Sequence, residues 1–160
     1  IAPGLEAKRH ITQNAIDVAH AIGIGQPHIA VLSAVETVNP AIPSSEHAAA
    51  LRDMAKDGRI TGGIIDGPLA FDNMYSAEAA RIKGISSPVS GRTDILVMPG
   101  LEAGNILYKS LVYLGGAVAA GVVMGARVPV ILTSRADSAH SRIASAAVAC
   151  LVAHTRSMRG

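Results

Sequence analysis

Tryptophan is absent, phenylalanine occurs once and tyrosine three times, so aromatic residues make up 2% of this 160-residue chain. Stacking platforms of the kind that hold single-stranded nucleic acids are therefore scarce. Charge of one sign is scarce too: 14 Lys and Arg stand against 12 Asp and Glu, a formal net charge of +2. No basic stripe is available for a phosphodiester backbone, and a nucleic-acid partner is not expected. The single cysteine, Cys150, excludes a disulfide framework and a thiolate zinc site, and it points to a reducing, cytoplasmic compartment. No signal segment is visible. Ile1-Ala2-Pro3-Gly4 leads straight into a helical pattern without an initiator Met, so the chain reads as a piece of a longer one. The uncharged run from Leu111 to Ala126 is rich in Gly and Ala, is bounded by Lys109 and Arg127, and passes into Pro129. A membrane span needs about 20 predominantly apolar residues. A buried helix, a glycine turn and a strand are expected here instead.

What the chain does have is apolar bulk and flexible turns: 49% hydrophobic residues and 16 glycines, with only 16% charged residues. A chain of this length buries roughly 70% of its unfolded surface, enough for one core without covalent staples. Leu5 to Ile22 reads as an amphipathic helix with Ile11, Ala15, Val18 and Ile22 on its apolar face, ended by Gly23 and Gly25. A strand follows over His28 to Ser33, then a proline-rich loop, and a helix from Ser44 or Ser45 to Gly58 with Glu46 near its positive end. Ile60 to Ile65 is the next strand, Asp66-Gly67-Pro68 a turn, and Ser76 the cap of a short helix that ends at Gly84. Asp94 to Met98 is another buried strand and Glu102 to Leu114 a helix apolar on most sides. Val128 to Leu132 is a strand, and Ser138 to His154 a helix with Ile143, Ala147, Cys150 and His154 aligned. Strands alternating with helices over the whole length predict a three-layer α/β domain with a largely parallel sheet.

In such sheets ligands bind beyond the carboxyl ends of strands, where helix N-termini offer free N–H groups. Three junctions fit. In Val130-Ile-Leu-Thr-Ser-Arg-Ala-Asp-Ser138 a strand delivers Thr133, Ser134 and Arg135 to the mouth of the last helix. A hydroxyl, a bidentate guanidinium and helix N–H donors suit a phosphate or a developing oxyanion. The plainer reading of the same residues is a cap from Asp137 or Ser138 beside a solvated Arg135. On the helix after Pro99-Gly100, Glu102, Asn105 and Lys109 share a face, so that Lys109 is placed to reach a phosphate or an adenosine group; a solvated stabilising face fits equally. Asp66 and Asp72, in the turn after a strand, suit a metal or a base, or simply the turn. Walker A, Gly-x-Gly-x-x-Gly, Gly-x-Ser-x-Gly and His-Glu-x-x-His patterns are missing. Asp137, His140 and Ser141 fall on one helical turn and cannot converge as a hydrolase triad.

Taken in order, Thr61-Gly-Gly-Ile-Ile-Asp-Gly-Pro-Leu-Ala-Phe-Asp-Asn73, Pro99-Gly-Leu-Glu-Ala-Gly-Asn-Ile-Leu-Tyr-Lys109 and Pro129-Val-Ile-Leu-Thr-Ser-Arg-Ala-Asp-Ser138 resemble the phosphate acetyl/butyryltransferase family. Asn14-Ala-Ile-Asp-Val-Ala-His20 and Ser33-Ala-Val-Glu-Thr-Val-Asn-Pro40 resemble its butyryl-type branch, so the resemblance covers nearly the whole chain. It implies an enzyme that moves an acetyl or butyryl group between coenzyme A and inorganic phosphate. It also implies an isopropylmalate-dehydrogenase-like fold of two α/β domains, an active site in the cleft between them, and a homodimer built largely through the second domain. Residues 1–132 then correspond to that second, dimerising, coenzyme A-side domain. Residues 133–160 correspond to a closing segment that returns to an N-terminal domain this sequence lacks.

By the same resemblance Ser134 and Arg135 bind phosphate and steady the reacting acyl group, while Lys109, with Asn105 on its face, meets coenzyme A. The acetyl-specific branch places a catalytic aspartate near the position of Ser141. No carboxylate stands there in this chain, and Asp137 is the nearest substitute, as base or as helix cap. Coenzyme A and phosphate enter as substrates, and no metal or redox cofactor is implied. Two other readings stay open: a non-catalytic dimerisation fragment of such an enzyme, and a same-fold NAD- and metal-dependent dehydrogenase for which only Asp66 and Asp72 would supply carboxylates. A chain holding one side of a two-sided cleft is expected to be inactive alone. The acyl length stays open as well.

Overall fold

A parallel sheet in the order β2-β1-β3 organises the chain, and the computed structural model describes residues 2–158. The elements run α1 (Leu5–Ala21), β1 (His28–Leu32), α2 (Pro43–Lys56), β2 (Ile64–Leu69), α3 (Phe71–Tyr75), α4 (Ala77–Ile82), β3 (Ile95–Val97), α5 (Leu101–Tyr113) and α6 (Ala139–Ser157). Ile1 and residues 159–160, which include the end of the expected closing segment, lie outside the described residues.

Alternation along β1 creates the layers. Ile29 and Val31 point to one face and pack with Ile16 of α1 and with Ala48, Leu51 and Met54 of α2. Ala30 and Leu32 point to the other and pack with Leu69, Met74 of α3 and Val89. The three-layer α/β expectation with a parallel sheet therefore holds, in a small version. Gly23 and Gly58 end α1 and α2 with φ of +97° and +76°, a region that only glycine enters freely. Ser76 caps α4 as expected, its hydroxyl accepting from the Ala79 N–H.

Several local expectations are corrected. The expected strand over Ile60 to Ile65 begins only at Ile64 and runs on through Asp66-Gly67-Pro68, which is no turn. β2 is an edge strand, where the missing N–H of Pro68 is tolerated, and the register slips between Ala30 and Leu32 opposite it. A Cβ at Gly67 would meet the Val31 carbonyl oxygen at 2.6 Å, so the glycine permits this close approach. Val128 to Leu132 forms no strand. Val130 makes only an isolated antiparallel bridge with Val123, and Leu132 is 75% exposed. A continuous apolar run does not say what will cover it, and nothing in the described residues does.

Two helical faces were also rotated. α1 buries Lys8, Thr12, Ile16 and Ala19, leaving Ile11 and Ile22 half exposed. α6 buries Ser145, Ala149 and Val152 against α1, so the Ile143, Ala147, Cys150 and His154 row faces outward. In α1 Ala15 and Val18 of the expected row stay half-buried, whereas in α6 the whole expected row is exposed.

Candidate active site

β3 feeds through Pro99-Gly100 into α5, which sets Asn105, Lys109 and Tyr113 on one face at steps of four residues. The Lys109 ammonium lies 5.8 Å from the centroid of the Tyr113 ring, within cation–π range. α5 buries none of its residues against the rest of the chain.

The second wall is the segment that leads into α6. Its backbone is folded by its own polar side chains: Asp137 Oδ2 accepts from the Ser134 N–H at 2.6 Å, and Ser134 Oγ accepts from the Ala136 N–H at 3.3 Å. The Asp137 N–H returns to the Ser134 carbonyl at 3.1 Å. Short Asp and Ser side chains suit such turns because they reach backbone amides a few residues away. α6 itself is capped by Ser138, whose Oγ accepts from the Ser141 N–H at 3.1 Å. Of the two residues that qualified for the cap, Ser138 takes it, and Asp137 holds the turn.

The two walls meet around a cavity of about 430 Å³ bordered by Tyr108, Lys109 and Tyr113 on one side and Ser134, Asp137 and His140 on the other. An adjoining cavity of about 380 Å³ shares Tyr108, Lys109, Ser134 and Asp137 and adds Asn105 and Thr133. Four of the five site residues expected from sequence, Asn105, Lys109, Ser134 and Asp137, are thus brought together. The fifth, Arg135, is exposed and borders neither cavity. An ammonium, a hydroxyl and the first amides of α6 form a donor-rich surface suited to an anion, with two tyrosines at its margin. Tyr108 and Tyr113 were not singled out from sequence, and His140 was considered there only as a member of a triad that cannot converge. The scarcity of aromatics was the available signal, since two of the chain's four are at this cavity.

Asp66 and Asp72 do not converge. Asp66 Oδ1 accepts from the Gly67 N–H at 2.9 Å, whereas Asp72 pairs with the Lys83 ammonium at 2.8 Å. Lys83 also meets Glu36 at 2.7 Å, and Glu36 accepts from Asn73 Nδ2 at 2.8 Å. Hydrogen bonds from Lys83 hold the Asp72 and Glu36 carboxyls below their usual range, and the two carboxylates raise Lys83 in return. This clamp ties the loop after β1 to α3 and α4. No spacing rule could have found it, because Glu36 and Lys83 meet only in the fold. Among the described residues no group of three or more His, Cys, Asp or Glu is placed to hold a metal ion.

A parallel sheet between helices, with a donor-rich cavity where a helix begins, defines a domain of the open α/β class. A branched-chain phosphotransacylase from Enterococcus faecalis V583 shares this architecture, with a TM-score of 0.85 and 41% identity over 96% of this chain and 55% of that one. The family model described as Phosphate acetyl/butaryl transferase matches residues 1–150, and the chain belongs to that family. A phosphate acetyltransferase of Rhizobium meliloti is 63% identical over 156 residues, 98% of this chain and 49% of that protein. A probable phosphate butyryltransferase of Bacillus subtilis (strain 168) is 55% identical over 149 residues, 93% and 50% of the two chains. The chain spans about half the length of the curated relatives it matches. Relatives of the acetyl and of the butyryl name both match, so the comparisons single out neither branch. No helix among the described residues is long and apolar enough to cross a membrane.

Proposed function

We propose that this chain is one side of a phosphate acyltransferase that exchanges an acetyl or butyryl group between coenzyme A and inorganic phosphate. The observation that carries the reading is that Lys109 of α5 and Ser134 of the turn before α6 border the same cavity, in a member of the phosphate acetyl/butaryl transferase family.

In this reading Lys109 and Asn105 receive coenzyme A, while the Ser134 hydroxyl and the first amides of α6 hold phosphate, and the exposed Arg135 guanidinium, which borders neither cavity, would have to turn toward it to join them. A phosphate oxygen attacks the thioester carbonyl carbon, and the same donors stabilise the tetrahedral oxyanion. The carbon–sulfur bond then breaks, the acyl group leaves on phosphate, and the thiolate takes up a proton to become free coenzyme A. Asp137 keeps Ser134 in place through its Oδ2 and has Oδ1 left to exchange that proton. Reactants and products stand at the same oxidation level, so coenzyme A and phosphate serve as substrates and no redox cofactor takes part.

Residues 1–132 form the coenzyme A-side domain in this proposal, and 133–160 close toward the half that the longer relatives carry in addition. The exposed segment from Val118 to Leu132 and the outer row of α6 supply apolar surface for that half. Leu111 of α5 and Leu114 just past its end, 48% and 87% exposed, lie away from Lys109 and supply a face for a second copy, giving a cytoplasmic homodimer. The test is the reaction itself in the complete protein, this chain joined to that other half: acyl-CoA and phosphate should yield acyl phosphate, trapped as the hydroxamate, with release of free thiol.

A further inference from the structure

Resting on the phosphate acyltransferase reading, we infer that Tyr113 is the stacking platform for the nucleobase of coenzyme A. The chain has only four aromatic side chains; Phe71 and Tyr75 stack on each other, whereas Tyr113, 68% exposed at the end of α5, has no aromatic partner among the described residues. It is also the ring over which Lys109 lies, at 5.8 Å, and both residues border the cavity that Ser134 and Asp137 close on the far side. The ring is exposed enough for a planar aromatic ligand to stack on it near the ammonium. A base stacked there places its ribose phosphates within reach of the same ammonium, so that one helical turn recognises both ends of a nucleotide. Tyr108, 42% exposed on the same cavity, completes an aromatic margin around the Lys109 stem. The nucleotide end then lies against α5, and the pantetheine arm is directed across the cavity toward Ser134.

The experiment uses the complete protein and two donors, acetyl-CoA and S-acetyl-pantetheine, which carries the same thioester without the nucleotide. Removing a stacked aromatic should raise KM for acetyl-CoA about tenfold in Tyr113→Ala with kcat retained. Tyr113→Phe, which keeps the ring, should restore the parent KM. On S-acetyl-pantetheine, Tyr113→Ala and the parent should show the same kcat/KM. A parent KM for acetyl-CoA in Tyr113→Ala overturns the platform, and so does an equal loss on both donors, which would mark a structural role. A parent protein that forms no acyl phosphate from either donor overturns the acyltransferase reading, and the platform with it.

Discussion

Asp137 separates two accounts of the candidate site, because its carboxylate either holds a turn or moves a proton. Its Oδ2 accepts from the Ser134 N–H at 2.6 Å, a charge-assisted hydrogen bond inside the segment that presents Ser134 to the cavity. Deleting the acceptor in Asp137→Ala removes a bond to a charged group, about 1.5–3 kcal/mol, or a loss of about 10- to 150-fold if the whole effect falls on the placement of Ser134. Asp137→Asn is the discriminating variant. Its side-chain carbonyl still accepts from the Ser134 N–H, so the turn survives, while the group can no longer take a proton near neutral pH. If positioning is the larger role, Asp137→Asn keeps turnover within about fivefold of the parent, the difference between a charged and a neutral acceptor, and Asp137→Ala loses the larger factor. The assay is steady-state acyl phosphate formation by the complete protein. Equal losses in the two variants would refute the positioning argument and make the carboxylate the base.

Arg135→Ala should lower turnover about 100-fold or more, the usual cost of one oxyanion or phosphate donor; activity within a few-fold of the parent would show that this exposed arginine is only a solvated neighbour of the turn. Lys8 is 4% exposed and makes no ion pair among the described residues, and burial lowers its pKa. Between the lowered folded value and the ordinary unfolded one, the unfolded chain binds the extra proton, so this group's contribution to stability rises with pH. Lys8→Met should therefore raise the urea midpoint at pH 7, and its advantage should narrow toward pH 10; an unchanged midpoint at both would contradict the desolvation argument. Leu111→Asp should shift the complete protein toward monomer in sedimentation while its circular dichroism stays that of the parent, and an unchanged mass would remove this face of α5 from the interface.

Layer order was legible because β1 is apolar at every position after His28 and lies between glycine- and proline-marked loops, the pattern of a central parallel strand. The Asp66-Gly67-Pro68 stretch was misread because turn chemistry is local, whereas the tolerance of a proline in β2 comes from its place at the sheet edge. Val128 to Leu132 was misread for the opposite reason. Its apolar character is real, but nothing among the described residues covers it, as 44% to 75% exposure at Val130, Ile131 and Leu132 shows. In α1 the apolar row through Ile11 and Ile22 looked like the core face, yet the helix buries Lys8 and Thr12, the latter by returning its hydroxyl to the Lys8 carbonyl at 2.8 Å. At the candidate site, strand-to-helix position singled out Ser134 and Asp137, and helical spacing singled out Asn105 and Lys109. Tyr113 falls at the next step of four on that same face, a spacing that marks a helix face but not a ligand contact, and His140 entered the sequence reading only as a member of a triad that cannot converge.

The central claim is that this chain supplies one side of an acyl transfer site and needs the other side to work. The direct measurement is acyl phosphate production from acetyl-CoA and from butyryl-CoA, at equal protein concentration, by the 160-residue chain and by the complete protein. The account predicts hydroxamate well above background from the complete protein with at least one donor, and a signal near background from the chain alone, because phosphate and thioester must be held by groups converging from both sides. Turnover by the chain alone that matches the complete protein, or no acyl phosphate from the complete protein with either donor, would contradict it.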